Sequence, residues 1–321
     1  MKVLVTGGCG FIGSNLVPHL EAAGHSVRVL DSEVMGKRHH LCSFNGEFLH
    51  GDIREARDLD TALDGVDAVI HLAADTRVME SIADPALNFD VNVVGSFALM
   101  EAMRARSITR LVNASTGGAI IGDATPPVHE NMVPRPIAPY GATKLAVEGL
   151  CSAYSASYGF TAVSLRFANV YGPRSFHKGS VVAAFLKRIL AGESLVVYGD
   201  GEQTRDFVFV DDLCAGIMSG LTSERSGVFQ LGSGVPVSVN ALIEAISHVV
   251  APRPVVVDYR PARGGEIVRT WCDISRAREH LDYSAPTPLE YGLSQAWQWF
   301  VSDYADRPNP DRDMARCEVS A

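Results

Sequence analysis

The first thirteen residues, MKVLVTGGCGFIG, place a glycine-rich turn directly after one short apolar strand. The spacing of Gly7, Gly10 and Gly13 is typical of a turn that joins a strand to a helix and holds a diphosphate. Gly7 permits the tight turn, Gly10 lets the backbone approach the ligand, and Gly13 lets the helix pack closely on the sheet. Phe11 and Ile12 open that helix and present its free amides. The segment predicts a dinucleotide-binding strand–helix unit at the start of the chain.

The second apolar run, SVRVLD, ends in Asp31. Its distance from the turn is close to the offset of about 20 residues at which such units carry an acidic residue. A carboxylate there accepts hydrogen bonds from both ribose hydroxyls and repels a 2′-phosphate. Lys37 and Arg38 follow closely and argue for the phosphorylated cofactor, but we interpret them as part of a solvated loop. The predicted cofactor is therefore NAD.

Short β-branched runs alternate with helical patterns through the first half of the chain. The strand-like runs are KVLVTG, SVRVLD, DAVIHLAA, RLVNAST and TAVSLRFANVYG. Such apolar strands, separated by helices, predict an α/β fold with a Rossmann-type doubly wound parallel sheet. Beyond about residue 170 the pattern becomes intermittent, which predicts a smaller mixed α/β substrate-binding domain.

These patterns predict the domain boundaries. We expect an NAD-binding domain over residues 1–170, to which segments of about 206–233 return. We expect a nucleotide-sugar-binding domain over 171–205 and 234–305. The proline- and charge-rich segment 306–321 is predicted to be a flexible tail.

Composition excludes several classes of function. The chain has 321 residues and a formal net charge of −9 without clusters of Lys and Arg, which argues against a nucleic-acid partner. No apolar run approaches the roughly 20 residues that a membrane span needs. The six cysteines stand singly and no metal-binding spacing occurs, which indicates a reducing, cytoplasmic location and no metal.

Several independent motifs resemble those of the extended short-chain dehydrogenase/reductase family, specifically the NAD-dependent sugar-nucleotide epimerases and dehydratases. The motifs are TGGCGFIG, GDIRE, HLAA, NVVGS, YGATK, RFANVYGPR, GDGEQTRDFVFVDD and RGGEI. The resemblance implies a UDP-sugar substrate and further cofactor contacts. By position these are the adenine contacts Asp52 and Ile53, the nicotinamide-side wall Leu72, Ala73 and Ala74, and the floor residue Asn92.

The YGATK motif places Tyr140 and Lys144 one helical turn apart, so both side chains fall on one helix face. The nearby ammonium, together with the charge of NAD⁺, is expected to lower the phenol pKa towards neutrality. A phenolate can then take the proton of a sugar hydroxyl. We expect this pair to be catalytic.

The segment STGGAIIG departs from the family pattern. The catalytic hydroxyl of the family falls on Gly117, and the Asp and Glu of typical 4,6-dehydratases fall on Gly118 and Ala119. Thr116, one residue earlier, is the best replacement hydroxyl and Ser115 is the second. The alternative, that both hydroxyls only satisfy backbone groups at a strand end, stays open.

On the substrate side the resemblance assigns a second set of residues by position. Arginine suits a diphosphate because its planar guanidinium presents a fork of donors. The alternative is a set of surface ion pairs. The assigned substrate contacts are Arg77 in the loop after HLAA, Asn169, Arg205 and Arg263 for the diphosphate, Val197 near the uracil, and Glu266 for the ribose.

The choice of reaction rests on resemblance. The chain resembles the UDP-N-acetylglucosamine 5,6-dehydratases of the tunicamycin antibiotic pathway, lyases that oxidise C4, eliminate water across C5–C6 and return the hydride to C4. The alternative is a UDP-hexose or UDP-hexosamine 4-epimerase, which needs no acid at Gly118 and Ala119. A non-catalytic NAD-sensing protein and an ordinary NAD-dependent alcohol dehydrogenase are less favoured. For the dehydratase, proton transfer at C5 and C6 falls to Tyr140, Thr116 or a group from another loop. By family position the nearest such groups are Asp75, Arg77 and Glu130, with His129 beside the last.

Two helical segments, NVVGSFALMEAM and LAVEGLCSAYSASY, carry small and apolar residues on more than one face. Such helices bury one face in their own subunit and leave another for a second copy. The sequence therefore predicts a homodimer.

Overall fold

A computed structural model describes residues 1–41, 44–262 and 267–305. The strands are β1 (Lys2–Thr6), β2 (Ser26–Asp31), β3 (Glu47–His50), β4 (Ala68–His71), β5 (Arg110–Thr116), β6 (Thr161–Phe167), β7 (Asn169–Tyr171), β8 (Leu195–Tyr198), β9 (Thr204–Phe209), β10 (Gly227–Leu231), β11 (Pro236–Ser238) and β12 (Val257–Arg260). The α-helices are α1 (Phe11–Ala22), α2 (Ala56–Ala62), α3 (Val78–Ala83), α4 (Pro85–Phe89), α5 (Gly95–Ala105), α6 (Gly118–Ile121), α7 (Pro139–Tyr158), α8 (Val181–Leu190), α9 (Val210–Thr222), α10 (Val239–Val250), α11 (Ser275–Leu281) and α12 (Leu289–Ala305).

The central feature is a seven-stranded sheet in the order β10-β6-β5-β4-β1-β2-β3. All of its neighbouring strands run parallel. Alternate residues of each strand face opposite sides, and on β1 Val3 and Val5 enter one apolar core while Leu4 enters the other. The α/β fold with a doubly wound parallel sheet, predicted from the apolar runs, is confirmed.

The run TAVSLRFANVYG forms two strands rather than one. β6 lies in the large sheet, but β7 pairs with β9 in a separate three-stranded sheet completed by β11. Between them, the amide of Ala168 donates to the carbonyl of Leu231, at 2.9 Å. A third sheet of two strands joins β8 to β12.

The sequence predicts a return to the large sheet at two runs, FVFVDD and GVFQLG, and the structure places one of them there. GVFQLG supplies β10, which pairs with Val163–Phe167 of β6 at the edge of the large sheet. FVFVDD instead supplies part of β9, which pairs with β7 and β11 in the small sheet. The boundaries of the two predicted domains stay a prediction.

The carboxyl ends of the parallel strands gather the groups that form the site. β1, β2, β4 and β5 end at Thr6, Asp31, His71 and Thr116, and all four ends lie along one edge of the sheet. In open α/β sheets, ligands bind outside this edge. None of the described helices is long and apolar enough to cross a membrane.

Candidate active site

The glycine-rich turn between β1 and α1 leaves no room for side chains. Gly7 has φ of +72°, and a Cβ added there would lie 2.6 Å from the amide nitrogen of Ala73. A Cβ at Gly13 would lie 2.6 Å from the carbonyl oxygen of Gly7. α1 begins after Gly10 without any side-chain cap, so its first amides have no partner within the helix. An uncapped helix start reached through bare backbone fits a diphosphate.

Asp31 holds this turn from the end of β2. Its Oδ2 accepts from the amide of Cys9 at 2.9 Å, and its Oδ1 accepts from the amide of Glu33 at 2.7 Å. Burial raises the carboxyl pKa, and the two amide bonds oppose that rise. The nearby cations are engaged elsewhere, because Lys37 donates to the carbonyl of Glu33 and Arg38 lies over the Phe48 ring, 4.8 Å from its centroid.

A histidine that sequence reasoning missed joins two strand ends beneath the turn. His71 Nδ1 lies 2.8 Å from Thr6 Oγ1, and its Nε2 lies 2.8 Å from Ser96 Oγ. Burial lowers the pKa of His71 to about 3, and the charge of Lys144 acts in the same direction. The imidazole is therefore neutral near pH 7 and serves as a hydrogen-bonding strut.

The remaining predicted cofactor contacts lie along the same edge. The amides of Leu72 and Ala73 donate to the carbonyl and hydroxyl of Thr6, at 3.0 and 3.3 Å. Asp52 pairs with Arg54 at 2.7 Å, which holds its carboxyl pKa below the usual value. The other two predicted contacts, the buried Ile53 and the half-buried Ala74, flank these residues.

Asn92 is buried in a short π-helical turn at Asp90–Val94 and ties the loop after β4 to helix α7. Its Oδ1 accepts from the amide of Asp75 at 2.8 Å, and its Nδ2 donates to the Asp75 carbonyl at 2.9 Å. The same Nδ2 lies 3.1 Å from Thr143 Oγ1, whose hydroxyl donates to Asn88 Oδ1. Asn88 was not predicted from the sequence. Its place on the short helix α4 gave no signal.

The phenol of Tyr140 and the hydroxyl of Thr116 meet at the end of β5. Burial raises the pKa of Tyr140 to about 12, a hydrogen bond from Thr116 opposes the rise, and the charge of Asp75 adds to it. The amide of Tyr140 donates to Ser81 Oγ at 3.2 Å, which fixes the start of α7. The pairing of these two hydroxyls matches the leading alternative from the sequence, in which Thr116 stands in for Gly117.

Lys144 lies one turn further along α7 and donates to the carbonyl of Ala114, at 3.0 Å. Burial lowers its pKa to about 8, the charge of Glu148 opposes this, and the charge of Lys178 adds to it. Within the chain alone the Tyr140 pKa is not lowered, because burial of the phenol raises it and the Lys144 ammonium is directed at a backbone carbonyl. The expectation that Lys144 and the charge of NAD⁺ together lower this pKa stays a prediction.

Ser115 belongs to a different environment from its neighbour. Its hydroxyl donates to Glu148 Oε1 at 2.6 Å. Arg166 donates to both carboxylate oxygens of Glu148, at 2.9 and 2.7 Å, and both partners are buried. The Ser115 hydroxyl is therefore engaged by the buried Glu148 of α7, two helical turns after Tyr140, whereas Thr116 is the residue of β5 that acts on the Tyr140 phenol. The Ser115 hydroxyl therefore has a buried partner other than Tyr140, which disfavours the expected role as a second catalytic hydroxyl.

No acid follows Thr116 on β5. Gly117 precedes the four-residue helix α6, and Gly118 begins it. A Cβ at Gly118 would have only Thr270 Oγ1 within 4 Å, at 3.8 Å, whereas one at Gly117 would lie 2.6 Å from Gln230 Oε1. The space beside Tyr140 is therefore free of a carboxylate from this segment.

The other acids proposed from the sequence are engaged in separate contacts. Asp75 accepts from Asn88 Nδ2 at 3.1 Å and lies 3.7 Å from Arg77, whose guanidinium is half-exposed. Glu130 accepts from the amide of Gln230 at 2.7 Å and pairs with Arg276 at 3.8 Å. Glu130 is thus held away from Tyr140, while Asp75 is close enough to shift its pKa. His129 accepts from the amide of its neighbour Asn131.

Three of the predicted substrate contacts line one cavity of about 200 Å³ between the small sheets and α8. Asn169 lies at the start of β7, Val197 on β8, and Arg205 on β9, where it also donates to the Thr204 carbonyl. Arg263 and Glu266 lie outside the described residues. Gln203, from the motif GDGEQTRDFVFVDD, also lines the cavity, as do residues that no motif indicated, among them Ser180, Phe185, Arg188 and Tyr198. Their only signal was adjacency in sequence to predicted contacts.

The fold and the site together define a class of enzyme. A nucleotide-sugar oxidoreductase of the short-chain dehydrogenase type requires a dinucleotide cradle, a Tyr–Lys pair on one helix and a separate cavity, and all three are present. The model of the NAD dependent epimerase/dehydratase family matches residues 3–232. The chain belongs to this family, and its cofactor is NAD.

Similar proteins support the same assignment. A UDP-glucose 4-epimerase from Mycolicibacterium smegmatis is 38% identical over 94% of this chain and 98% of its own length. The structure of a Thermus thermophilus UDP-glucose 4-epimerase in complex with NAD is 35% identical, covers 94% of this chain and 99% of that one, and has a TM-score of 0.87. A UDP-N-acetylglucosamine 4-epimerase from Methanobrevibacter ruminantium, in complex with UDP-N-acetylmuramic acid, is 32% identical over 94% and 98%, with a TM-score of 0.89.

Proposed function

We propose that this chain is a UDP-sugar 4-epimerase that acts on a UDP-hexose or UDP-hexosamine. The observation that carries the proposal is that Thr116 acts on the Tyr140 phenol in the direction that lowers its pKa, at a strand end that holds Gly117 and Gly118 in place of side chains. Epimerisation at C4 oxidises the carbon and reduces it again from its opposite face. One proton leaves the 4-hydroxyl and one returns, so a hydroxyl pair suffices and no carboxylic acid is needed.

In this proposal Tyr140 accepts the proton of the 4-hydroxyl and later returns it. Thr116 donates to the phenol oxygen, which favours the phenolate form. The ammonium of Lys144, held by the Ala114 carbonyl, adds a positive charge on the same helix face. When bound, NAD supplies the hydride acceptor and a further positive charge beside the phenol.

The residues that would hold NAD are those of the backbone cradle. The amides of Phe11 and Ile12 would face the diphosphate, and Asp31 would accept from the adenosine ribose. Asp52, Ile53 and the loop from Leu72 to Ala74 would line the rest. For the sugar nucleotide we propose Asn169 and Arg205 at the diphosphate, Val197 at the base, and Arg77 near the sugar, with Arg263 and Glu266 as further contacts. All of these assignments stay predictions.

A 5,6-dehydratase is the second candidate, although the sequence favoured it. The specific observation in its favour is the carboxylate of Asp75, which is close enough to raise the Tyr140 pKa. Contacts with Asn88 and Arg77 fix its position. The three similar proteins described above are all 4-epimerases, and none is a dehydratase. The epimerase therefore has the better support, and the resemblance to the tunicamycin-pathway enzymes stays unconfirmed.

Mass spectrometry and proton NMR of UDP-glucose and UDP-N-acetylglucosamine after incubation with the protein test the proposal. An epimerase leaves the mass unchanged and inverts C4. A 5,6-dehydratase gives a product lighter by one water that keeps its C4 hydrogen, and this result would replace our proposal. The C5 proton gives a second criterion, because the dehydratase removes it when the C5–C6 double bond forms, whereas an epimerase leaves it in place and undeuterated in deuterated water.

We also propose that the protein is a cytoplasmic homodimer. Helices α3, α4 and α5 and the π-turn present large apolar side chains to solvent, which are Met79, Ile82, Leu87, Phe89, Val94 and Phe97. Contiguous exposed apolar side chains of this kind typically mark an interaction surface. Sedimentation velocity at micromolar concentration should give a dimer and Phe97→Glu a monomer, whereas a wild-type monomer would exclude an obligate dimer.

A further inference from the structure

Lys178 lies in the loop between β7 and α8, between the cavity of about 200 Å³ and the pair Tyr140 and Lys144. The two residues after it, Gly179 and Ser180, line the cavity. Its own Nζ lies 3.4 Å from Thr76 Oγ1, in the loop that follows β4. Its charge also lowers the pKa of Lys144. The Lys178 side chain therefore extends from the wall of this cavity towards Thr76 and Lys144, and we call the space between them the cleft.

The position of Lys178 is fixed by its backbone. Its amide donates to the Ser175 carbonyl at 2.9 Å, and its carbonyl accepts from Lys187 Nζ at 3.0 Å. Lys187 in turn lies over the Phe176 ring, 5.6 Å from its centroid. The loop thus presents the Lys178 side chain in one direction before any ligand binds, which lowers the entropic cost of binding.

The Lys178 ammonium has no counterion among the residues that the structure describes. Across residues 1–41, 44–262 and 267–305, no carboxylate pairs with Lys178 Nζ, and its hydrogen bond goes to a neutral hydroxyl. Burial alone lowers its pKa. Lys2, by comparison, pairs with Glu47 at 3.0 Å. An enclosed charge without a partner destabilises the folded chain, unless an anion from outside completes the pair.

We propose that Lys178 binds a diphosphate oxygen of a ligand in this cleft. Two ligands carry a diphosphate of this chemistry, the dinucleotide NAD and the nucleotide sugar. The second source rests on the function proposed above, and the first does not. Charge-assisted hydrogen bonds between ammonium groups and phosphoryl oxygens are among the stronger polar contacts. In a chain of net charge −9 a placed cation is needed to hold a dianionic group.

Isothermal titration of wild type, Lys178→Met and Lys178→Arg with NAD, and separately with UDP, tests this proposal. Methionine keeps the length and apolar stem of the side chain but removes the charge. We expect Lys178→Met to weaken one of the two ligands by roughly 10- to 100-fold, and Lys178→Arg to stay within about threefold of wild type. The weakened ligand identifies the source of the diphosphate. Lys2→Met is the matched control and should bind both ligands as wild type does.

The proposal is overturned if Lys178→Met binds both NAD and UDP within about twofold of wild type. Thermal unfolding of the ligand-free variant separates binding from a structural role. Removal of an unpaired ammonium should leave Tm unchanged or higher, whereas a lower Tm with equal loss of both ligands would assign Lys178 to structure and contradict us. Neither measurement uses turnover, so a failure of the epimerase assay would leave the result interpretable.

Discussion

Two turns of this molecule look alike in sequence and differ in structure. TGGCGFIG follows β1 and STGGAIIG follows β5, and each leads from a parallel strand through paired glycines into a helix. After β1, the neighbouring backbone lies 2.6 Å from where a Gly7 side chain would begin, and a twelve-residue helix follows. After β5, the helix has four residues and Gly118 borders open space.

Glycine therefore has a different structural role in each of the two turns. In the first turn glycine is required by φ and by close backbone contact, so the turn can bind a ligand only through amides. In the second turn Gly118 is not required by its surroundings, and its effect is to leave the chemistry to Tyr140 and Thr116. We therefore expect changes at the first turn to affect folding and cofactor binding, and changes around the second to affect turnover.

The largest expected effect is that of Tyr140→Phe. Loss of the phenol oxygen should lower kcat by roughly 10²- to 10⁴-fold, because the proton of the sugar hydroxyl then has no acceptor. Binding of NAD and UDP should stay close to that of wild type, as the phenol contributes little to the ground state. Steady-state kinetics and titration calorimetry measure both. Activity above about a tenth of wild type would remove Tyr140 from the role of base.

Gly7→Ala and Gly118→Ala form a matched pair that tests the comparison directly. Gly7→Ala should lower the free energy of unfolding by at least about 2 kcal/mol and abolish NAD binding, because the new methyl group meets backbone at a positive φ. Gly118→Ala should be neutral or stabilising by about 0.5 kcal/mol, since it adds a better helix former in open space. Chemical denaturation measures both changes. Equal destabilisation by the two substitutions would break the distinction.

The sequence predicted the first turn well because its requirements are local. A strand, three spaced glycines and a helix fix the backbone within a few residues, and the apolar runs predict the parallel sheet for the same reason. The second turn depends on partners far along the chain. Ser115 and Thr116 are equivalent in sequence, and only their contacts separate them, with Glu148 for Ser115 and with Tyr140 for Thr116.

The substitutions Thr116→Val and Ser115→Ala sharpen this separation. Thr116→Val keeps the shape and removes the hydroxyl, and should lower kcat by about 10- to 100-fold with little change in stability. Ser115→Ala removes a hydrogen bond to a buried carboxylate, and should cost about 1.5–3 kcal/mol of stability while kcat stays within about threefold of wild type. Thr116→Ser should restore most of the activity. The reverse pattern, with kcat lost at Ser115, would restore the serine as the reacting hydroxyl.

Other parts of the site gave no sequence signal for a physical reason. Lys178, Asn88 and the cavity residues of α8 come together through contacts between distant segments, which neither periodicity nor spacing encodes. The placement of β9 in the small sheet has the same origin, because FVFVDD and GVFQLG both have strand-like sequences and only pairing decides that β10 alone rejoins the large sheet.

The smallest expected effect concerns the strut beneath the first turn. The pKa of His71 is about 3 in the folded chain against 6.5 as its ordinary value, so the unfolded chain takes up a proton at higher pH than the folded one. Stability is therefore fully present above about pH 6.5 and is lost as pH falls towards 3. Between pH 7 and 5.5 this single group should cost about 1 kcal/mol. Urea denaturation of wild type and His71→Asn at both pH values measures the difference, because the variant cannot titrate and should lose that much less on acidification.

His25→Gln changes a histidine outside the strut and should keep the wild-type slope. Since His71 contacts Thr6 rather than the end of β5, acid should weaken NAD binding before it changes the contact between Thr116 and Tyr140. Identical pH slopes for wild type and His71→Asn would show that the strut does not carry this dependence.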